Sequence, residues 1–237
     1  PMIDVLDQFW RAYLYASNGS LSGMAVTLWL LVLSVSMGFF LSIFLAVARV
    51  SSRRWLSIPL WTFSYVFRGT PLYVQILFIY AGIYSLDFVK STPSLATFFQ
   101  NGFNCLVLAL TLNTVAYTTE IFAGAIRATS AGEIEAARAY GMTRFALYRR
   151  VILPSALRRA LPAYSNEVIL MLHATSLAFT ATVPDILKVA RDANSATYQT
   201  FASYGIAALL YLGLSFTLIG LFRWYERRTL AYLGLHR

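Results

Sequence analysis

The sequence predicts an all-α membrane protein with five transmembrane helices. Three observations lead to this class. Hydrophobic residues make up 58% of the 237-residue chain and charged residues only 12%, about half of the ~25% that is usual in soluble domains. Five apolar segments each have roughly the 20 residues that cross a bilayer as a helix. The basic residues are concentrated in short clusters between those segments, as in membrane proteins with a defined orientation.

Composition also excludes several other classes of function. The formal charge of +9 would suit a nucleic-acid partner, but short basic clusters between long uncharged segments are better explained by membrane topology. A single cysteine, Cys105, excludes a disulfide within the chain. The two histidines, His173 and His236, are far apart and lack the spacing of metal ligands. We therefore expect no nucleic acid, no metal and no redox chemistry.

Five segments are predicted to cross the membrane. They are about 23–48, 60–86, 104–126, 162–182 and 200–222. No charge interrupts the first or the fifth segment. The second contains Arg68, the third Glu120 and the fourth Glu167.

The distribution of basic residues predicts the orientation, because they favour the cytoplasmic side. They are dense after the first span, between the third and fourth spans, and after the fifth, at residues 49–54, 127–159 and 223–237. The chain is thus divided into a periplasmic N-terminal segment 1–22, a single transmembrane domain 23–225 and a cytoplasmic tail 226–237.

The first span carries small residues at every fourth position, namely Ser34, Gly38, Ser42 and Ala46. Residues at this spacing form one ridge of a helix, and small side chains let a second helix approach closely. The alternative is that these residues are scattered on a helix that faces lipid. The regular spacing favours the ridge.

The stretch "GEIEAARAYGMTRFALYRRVILP" at 132–154 is unusually charged for so apolar a chain. Ser130 followed by Glu133 forms a capping box that starts a helix. Gly141 allows the backbone to turn midway, and Pro154 is interpreted as a stop. Two short helices along the cytoplasmic surface are predicted. They are either an amphipathic connector or a docking site for another protein.

The amino-acid sequence of this stretch favours a docking site for another protein. Glu135, Ala136, Ala137, Gly141 and the "VILP" that ends at Pro154 resemble the EAA loop of membrane subunits of ATP-binding-cassette importers, with Val151 in place of Ile. In that family the loop inserts into a groove of the cytoplasmic ATPase. The resemblance implies that these residues bind an ATPase, with Glu135 and nearby arginines fixing orientation by charge.

Other segments extend the resemblance to the polar amino-acid permeases, on their histidine/lysine/arginine/ornithine branch and nearest to the M-type subunit. These are "FRGTPLYVQ" (67–75), 111–128, 161–192 and 196–201. The resemblance implies a location in the bacterial inner membrane, a homologous Q-type permease subunit, two ATPase subunits and a periplasmic amino-acid-binding protein.

ATP and Mg would be bound by the ATPase, and this chain would hold no cofactor. A phosphate-binding P-loop needs Gly-Lys-Ser/Thr, but Lys90 and Lys188 follow Val89 and Leu187. This chain is therefore expected to be a non-catalytic subunit.

Polar residues inside the predicted spans are candidates for the substrate path, because burying them in lipid is costly. They are Glu167, Arg68, Thr70, Glu120, Asn113 and His173. A cationic substrate needs an anionic partner, and Glu167 is the best placed, about 8 Å into the fourth span if Pro162 begins it. The alternative is that Glu167 forms a structural ion pair with Arg158 or Arg68.

The other candidates also have structural alternatives. Glu120 is expected to pair with Arg127 or Arg68. Asn113 would hydrogen-bond a neighbouring helix as readily as a substrate. His173 is more typical of a hydrogen-bonded interior residue than of a ligand.

The "RGTP" segment has two interpretations. If the second span starts near Leu60, Arg68 lies near mid-depth, and Pro71 breaks the helix beside a polar path where free backbone groups can meet a carboxylate. If the span starts near Leu72, Arg68 only snorkels to the surface. The resemblance favours the first interpretation.

A periplasmic helix is predicted after the fourth span, with Pro184 in its first turn. It would either receive the binding protein or serve as an ordinary connector.

Together these features predict a permease subunit that imports basic L-amino acids by alternating access. Two alternatives remain open. One is a purely structural half of a permease heterodimer, and the other is a proton-coupled transporter that uses Glu120 and Glu167.

Overall fold

The computed structural model describes residues 2–17 and 19–230, with side chains to residue 229. The chain is mostly helical, as predicted. Its helices are α1 (Met2–Leu14), α2 (Gly23–Arg49), α3 (Arg54–Gly69), α4 (Leu72–Leu77), α5 (Asp87–Ser91), α6 (Pro93–Gln100), α7 (Gly102–Arg127), α8 (Ala131–Ala139), α9 (Arg144–Leu147), α10 (Leu153–Ala174), α11 (Ile186–Thr197) and α12 (Thr200–Leu230). His236 and most of the predicted cytoplasmic tail lie outside the described residues.

A small hairpin that the sequence did not predict joins α1 to α2. Its strands, β1 (Ala16–Ser17) and β2 (Ser20–Leu21), pair antiparallel. Gly19, between them, has φ of +80°, which a residue without a Cβ adopts readily. At two residues a strand, the hairpin leaves the helical class unchanged.

Three of the described helices are long and apolar enough to cross a membrane, judged by length and composition. They are α2, α7 and α12, which match the predicted first, third and fifth spans. The first two agree with prediction to within two residues, and α12 continues eight residues beyond the predicted end at residue 222. A bent pair of helices counts as a fourth candidate if it forms one span.

The predicted second span, 60–86, is broken. Helix α3 ends at Gly69, and α4 starts at Leu72 at 105° to it and continues as a π-helical turn, Phe78–Ile83. Thr70 and Pro71 between the helices have extended backbone. Proline lacks the N–H that the preceding turn of helix would need, so the helix ends before it. The break expected at Pro71 is therefore present.

The predicted fourth span, 162–182, is not among the candidate spans of the described residues, and the helix that contains most of it starts earlier than expected. Helix α10 begins at Leu153 and ends at Ala174, where a 3₁₀ turn, Thr175–Ala181, follows. Pro154 lies in the first turn of α10, which follows directly on the π-helical turn Tyr148–Ile152. The prediction that Pro154 stops a helix was therefore wrong, and Pro162 is inside α10 rather than at its start.

The small-residue ridge of α2 packs against α7, as predicted. Ser34, Gly38, Ser42 and Ala46 are all buried. A Cβ on Gly38 would lie 2.2 Å from Thr114 Cγ2, and Ser42 Oγ donates to the Val115 carbonyl at 3.4 Å. Small side chains thus allow α2 and α7 to approach each other closely.

The N-terminal helix is fixed to the start of α2 and to the start of α12. Tyr13 is buried, and its hydroxyl donates to the Ser203 carbonyl at 2.9 Å. Gly23 has φ of +57°, and an added Cβ would lie 2.1 Å from the Tyr13 carbonyl oxygen. Only glycine fits there.

Helix α11 begins later than predicted. Asp185 is its N-cap and Ile186 its first residue, so Pro184 precedes the helix instead of lying in its first turn. The Pro184 carbonyl accepts from Gly23 N at 2.7 Å, which ties this junction to the start of α2.

Candidate functional site

The break between α3 and α4 is held by one buried side chain, that of Gln75. Its Nε2 donates to the carbonyls of Phe67 and Thr70, at 2.7 and 3.1 Å, and lies 2.8 Å from Thr70 Oγ1. Asn113 Nδ2 on α7 donates to Gln75 Oε1 at 3.2 Å. Two predicted site residues, Thr70 and Asn113, are thus brought together by Gln75, which sequence reasoning missed. Its position four residues after Pro71 was the available signal.

Arg68 lies at the end of α3 against α7. Its guanidinium carbon is 5.1 Å from the centre of the Tyr117 ring, a cation–π distance. The Tyr117 hydroxyl donates to the Arg68 carbonyl at 3.5 Å. The Arg68 side chain is exposed and, among the described residues, forms no ion pair.

Glu167 is buried on α10, with 6% of its surface exposed. It lies fourteen residues after the start of α10 at Leu153, about 21 Å along the helix, because the helix begins nine residues before Pro162. Its carboxylate interacts electrostatically with Arg68, but within the described part of the chain it forms no ion pair. Arg68 and Glu167 therefore interact without forming an ion pair by contact.

Glu120 serves a different purpose from the other candidates. Its Oε1 lies 2.7 Å from Arg49 Nε at the end of α2, and the two side chains are only 19% and 13% exposed. Arg49 also donates to Ser57 Oγ at 3.1 Å. The expected partners, Arg127 and Arg68, were wrong. Parallel packing of α2 and α7 places Arg49 beside Glu120, so the ion pair ties α2, α3 and α7 together.

His173 is also apart from the helix break. Its Nε2 lies 3.0 Å from Ser215 Oγ on α12, so the expected hydrogen bond is present, although the residue is exposed in this chain.

A second contact joins α10 to α12. Two residues earlier than Glu167, Ser165 Oγ donates to Glu226 Oε1 at 2.9 Å. Glu226 is a second carboxylate beside α10 that the sequence did not single out.

The predicted docking loop forms a helix with a defined end. Ser130 Oγ accepts from Glu133 N at 3.2 Å, which is half of the capping box, and Glu133 accepts instead from Ser155 Oγ at 3.5 Å. Gly141 has φ of +75°. Gly141 N donates to Arg138 O, and the next N–H donates to Ala137 O, the pairing of a glycine-terminated helix.

The second helix of the loop differs from prediction. Helix α9 has only four residues and continues through a π-helical turn, Tyr148–Ile152, into α10. Glu135 and Ala136 are exposed, and Ala137 is buried. Tyr140 and Phe145, which the motif did not mark, are 88% and 74% exposed. The loop therefore offers an acidic side chain and two aromatic rings to a partner.

A buried carboxylate joins α11 to the rest of the helical bundle. Asp185 is completely buried and accepts from Leu187 N at 3.1 Å, from Lys188 N at 2.9 Å and from the Tyr211 hydroxyl at 3.2 Å. Burial raises the pKa of Asp185 to about 6, and these hydrogen bonds oppose the rise. The Ile186 N–H donates to Thr27 Oγ1 of α2 at 3.4 Å.

Metal chemistry has no evident site. Across the part of the chain that the structure describes, no group of three or more His, Cys, Asp or Glu side chains comes together as a metal site requires.

Comparison with known proteins places this geometry in a family. The family model described as "Binding-protein-dependent transport system inner membrane component" matches residues 38–231. The histidine/lysine/arginine/ornithine transport system permease protein HisM of Salmonella typhimurium is 62% identical over 233 residues, which cover 98% of this chain and 99% of the relative. The octopine transport system permease protein OccM of Rhizobium radiobacter is 43% identical and covers 88% of this chain and 87% of the relative.

Solved structures agree with the sequence comparison. A crystal structure of an amino acid ABC transporter with histidines matches with a TM-score of 0.78 and 32% identity, over 96% of both chains. The MetNI methionine ABC transporter, in an inward-facing conformation, matches with a TM-score of 0.69 over 97% of this chain and 98% of the other. At 17% identity it supports the fold alone. The chain belongs to the family of binding-protein-dependent transport system inner membrane components.

Proposed function

We propose that this chain is a permease subunit of an ATP-binding-cassette importer for basic L-amino acids. The observation that carries the proposal is Glu167, a buried carboxylate without an ion pair in the described part of the chain. An unpaired carboxylate inside a membrane domain is costly unless a cation meets it. The HisM relatives belong to a histidine/lysine/arginine/ornithine transport system, and these amino acids include such cations.

The proposed path passes the break between α3 and α4. A cationic side chain approaching Glu167 recovers part of the hydration energy that it loses on leaving water. Arg68 opposes that cation, and it also stabilises Glu167 when the path is empty. Alternating access would then expose this region to one side of the membrane at a time.

The proposed topology has five spans, with the N-terminus in the periplasm and the C-terminus in the cytoplasm. Helices α3 and α4 form a broken second span, and α10 with its 3₁₀ turn forms the fourth. The dense arginines between α7 and α10 support a cytoplasmic location for that loop.

Coupling to ATP is proposed to occur at α8 and α9. A separate ATPase, present in two copies, holds ATP and Mg and receives Glu135, Ala136, Ala137 and the turn at Gly141, with Pro154 at the base of α10. A homologous Q-type subunit completes the path, and a periplasmic amino-acid-binding protein delivers substrate near α11. Catalysis is confined to the ATPase.

The energy source is the most informative test. The assembled complex is reconstituted in proteoliposomes, and uptake of labelled arginine is measured with ATP, with a pH gradient, and with both. We expect uptake to require ATP and to be independent of the gradient. Uptake driven by a pH gradient without ATP would instead support a proton-coupled transporter.

Two further measurements test the topology and the role of this subunit. Single cysteines at Gly19 and Arg228, in a Cys105→Ser background, should react oppositely with an impermeant maleimide added to intact spheroplasts. Equal labelling would contradict the five-span arrangement.

The role of this subunit is tested by neutralising carboxylates of the Q-type subunit in parallel with Glu167. Loss of uptake only in variants of the Q-type subunit would indicate that this chain is a purely structural half of the permease heterodimer.

A further inference from the structure

The side chain of Gln75 supplies a donor that the helix break lacks. In an uninterrupted helix the Phe67 carbonyl would accept from the N–H four residues later, but that residue is Pro71, which has none. Gln75 Nε2 lies 2.7 Å from the Phe67 oxygen and donates to the Thr70 carbonyl at 3.1 Å. The amide thus replaces the hydrogen bond that the proline removes, and it also holds the Thr70 carbonyl.

The backbone carbonyls of Phe67 and Thr70, which can only accept, determine which way the Gln75 amide faces, and Asn113 satisfies its other end. Asn113 Nδ2 donates to Gln75 Oε1 at 3.2 Å, and the two residues are only 7% and 8% exposed. A reversed Gln75 amide would place its oxygen against the Phe67 carbonyl and its NH₂ against that of Asn113. Because buried polar groups are costly without partners, only the observed orientation satisfies all of them.

This orientation fixes the segment that carries Arg68. Gln75 holds Phe67 on one side of Arg68 and Thr70 on the other. The Arg68 carbonyl and guanidinium both contact Tyr117 of α7. The Arg68 charge therefore has a set position relative to Glu167, with which it interacts.

We propose that Gln75 is a positioning residue of the translocation path. Anchored at its oxygen by Asn113, its amide holds residues 67–70 and thereby places the Arg68 charge relative to Glu167, which sets the affinity of the path for a cationic amino acid. This inference rests on the proposed function. Gln75 acts through Arg68 and Glu167 and need not touch the substrate.

The test uses the complete complex in proteoliposomes and measures ATP-dependent arginine uptake against arginine concentration. Gln75→Met keeps the length of the side chain and removes its hydrogen bonds. We expect the half-saturating concentration to rise about tenfold, with a smaller change in maximal rate. The control is Gln100→Met, because Gln100 is exposed and bonds only the Tyr84 hydroxyl. Wild-type protein without uptake would reject the proposed function itself, whereas equal half-saturation in wild type and Gln75→Met would reject the role of Gln75.

A second variant distinguishes a positioning role of Gln75 from a role in which it only supplies a hydrogen bond to the Phe67 carbonyl. Pro71→Ala, added to Gln75→Met, restores an N–H that can bond the Phe67 carbonyl. Positioning predicts that the yield of assembled complex recovers while the half-saturating concentration stays high. Full recovery of both would reduce Gln75 to a structural residue and overturn the proposal.

Asn113→Ala provides a test if Gln75→Met does not assemble. It leaves the donors of Gln75 in place and removes only the amide that anchors the Gln75 oxygen. The expected rise in half-saturating concentration is smaller, about threefold. Normal assembly with unchanged half-saturation in this variant would contradict the inference.

Discussion

Arg49 and Glu120, 71 residues apart in the chain, form a 2.7 Å ion pair between α2 and α7. The pair is mostly shielded from solvent, so neutralising one member strands the other charge. We expect Glu120→Gln to lower the free energy of unfolding by about 2 kcal/mol and to reduce the thermal midpoint of the purified complex. Asp192→Asn is the control, since the Lys188–Asp192 pair is more exposed and contributes little. A loss of uptake at unchanged thermal stability would return Glu120 to the substrate path.

The contact between Gly38 and Thr114 should tolerate no side chain. An added Cβ would lie 2.2 Å from Thr114 Cγ2, and overpacking of this kind costs about 3 kcal/mol. Gly38→Leu is therefore expected to abolish most of the folded yield after extraction in detergent. Gly213→Leu is the matched control, because an added Cβ on Gly213 meets no atom within 4 Å. Similar yields of both variants would contradict close packing of α2 on α7.

The turn at Gly141 should control coupling to the ATPase. Its φ of +75° is costly for a residue with a Cβ, by about 1–2 kcal/mol, so Gly141→Val is expected to displace α9 relative to α8. Substrate-stimulated ATP hydrolysis should fall while the permease still folds. Gly132→Val, inside α8 with free space around it and no positive φ, is the control.

Charge reversal at the exposed Glu135 tests the same surface in another way. Glu135→Lys should weaken co-purification of the ATPase, because it inverts the charge offered to the partner. Normal hydrolysis in Gly141→Val together with normal co-purification of Glu135→Lys would remove the docking assignment.

Asp185 should make the stability of the chain depend on pH. Its pKa rises from 3.8 to about 6 on folding, so the folded chain binds this proton more tightly than the unfolded chain does. Stability should therefore fall as the pH rises from about 4 to about 6, by up to about 3 kcal/mol. Asp185→Asn keeps a good N-cap and removes the buried charge, and it should raise the thermal midpoint at pH 7 relative to wild type.

The control for this pH dependence is Asp87→Asn, at an exposed position. It should leave the difference in thermal midpoint between pH 5 and pH 7 unchanged. An Asp185→Asn variant with the same pH dependence as wild type would show that other groups cause it.

The long apolar helices could be predicted because their signal is local. Helices α2, α7 and α12 are long segments rich in apolar residues, and the ridge around Gly38 is spaced within one helix. The turn at Gly141 was predictable for the same reason, since glycine is the residue that adopts positive φ readily. Pro154 was misread because proline is as typical of a first helical turn as of a helix end.

The site itself depended on contacts that no local pattern contains. Glu120 pairs with Arg49 because α2 and α7 pack in parallel with a fixed register. The local sequence around either residue does not reveal that register. Gln75 reads as an ordinary polar residue in an apolar segment until Asn113 is known to face it. Packing between helices therefore decides which of these side chains meet, whereas the types of residue involved were visible in the sequence.

The most direct measurement of the claim that this chain provides a path for cationic amino acids is uptake by Glu167→Gln, made together with the yield of assembled complex. Hydrogen bonds to charged groups contribute roughly 1.5–3 kcal/mol, or about tenfold to a hundredfold in affinity. We expect ATP-dependent uptake of arginine, lysine, ornithine and histidine to fall by such a factor at normal yield, with part of it restored in Glu167→Asp. Normal yield with unchanged uptake of all four amino acids would contradict the substrate role of Glu167, and a collapsed yield would assign the residue to the structure of the bundle.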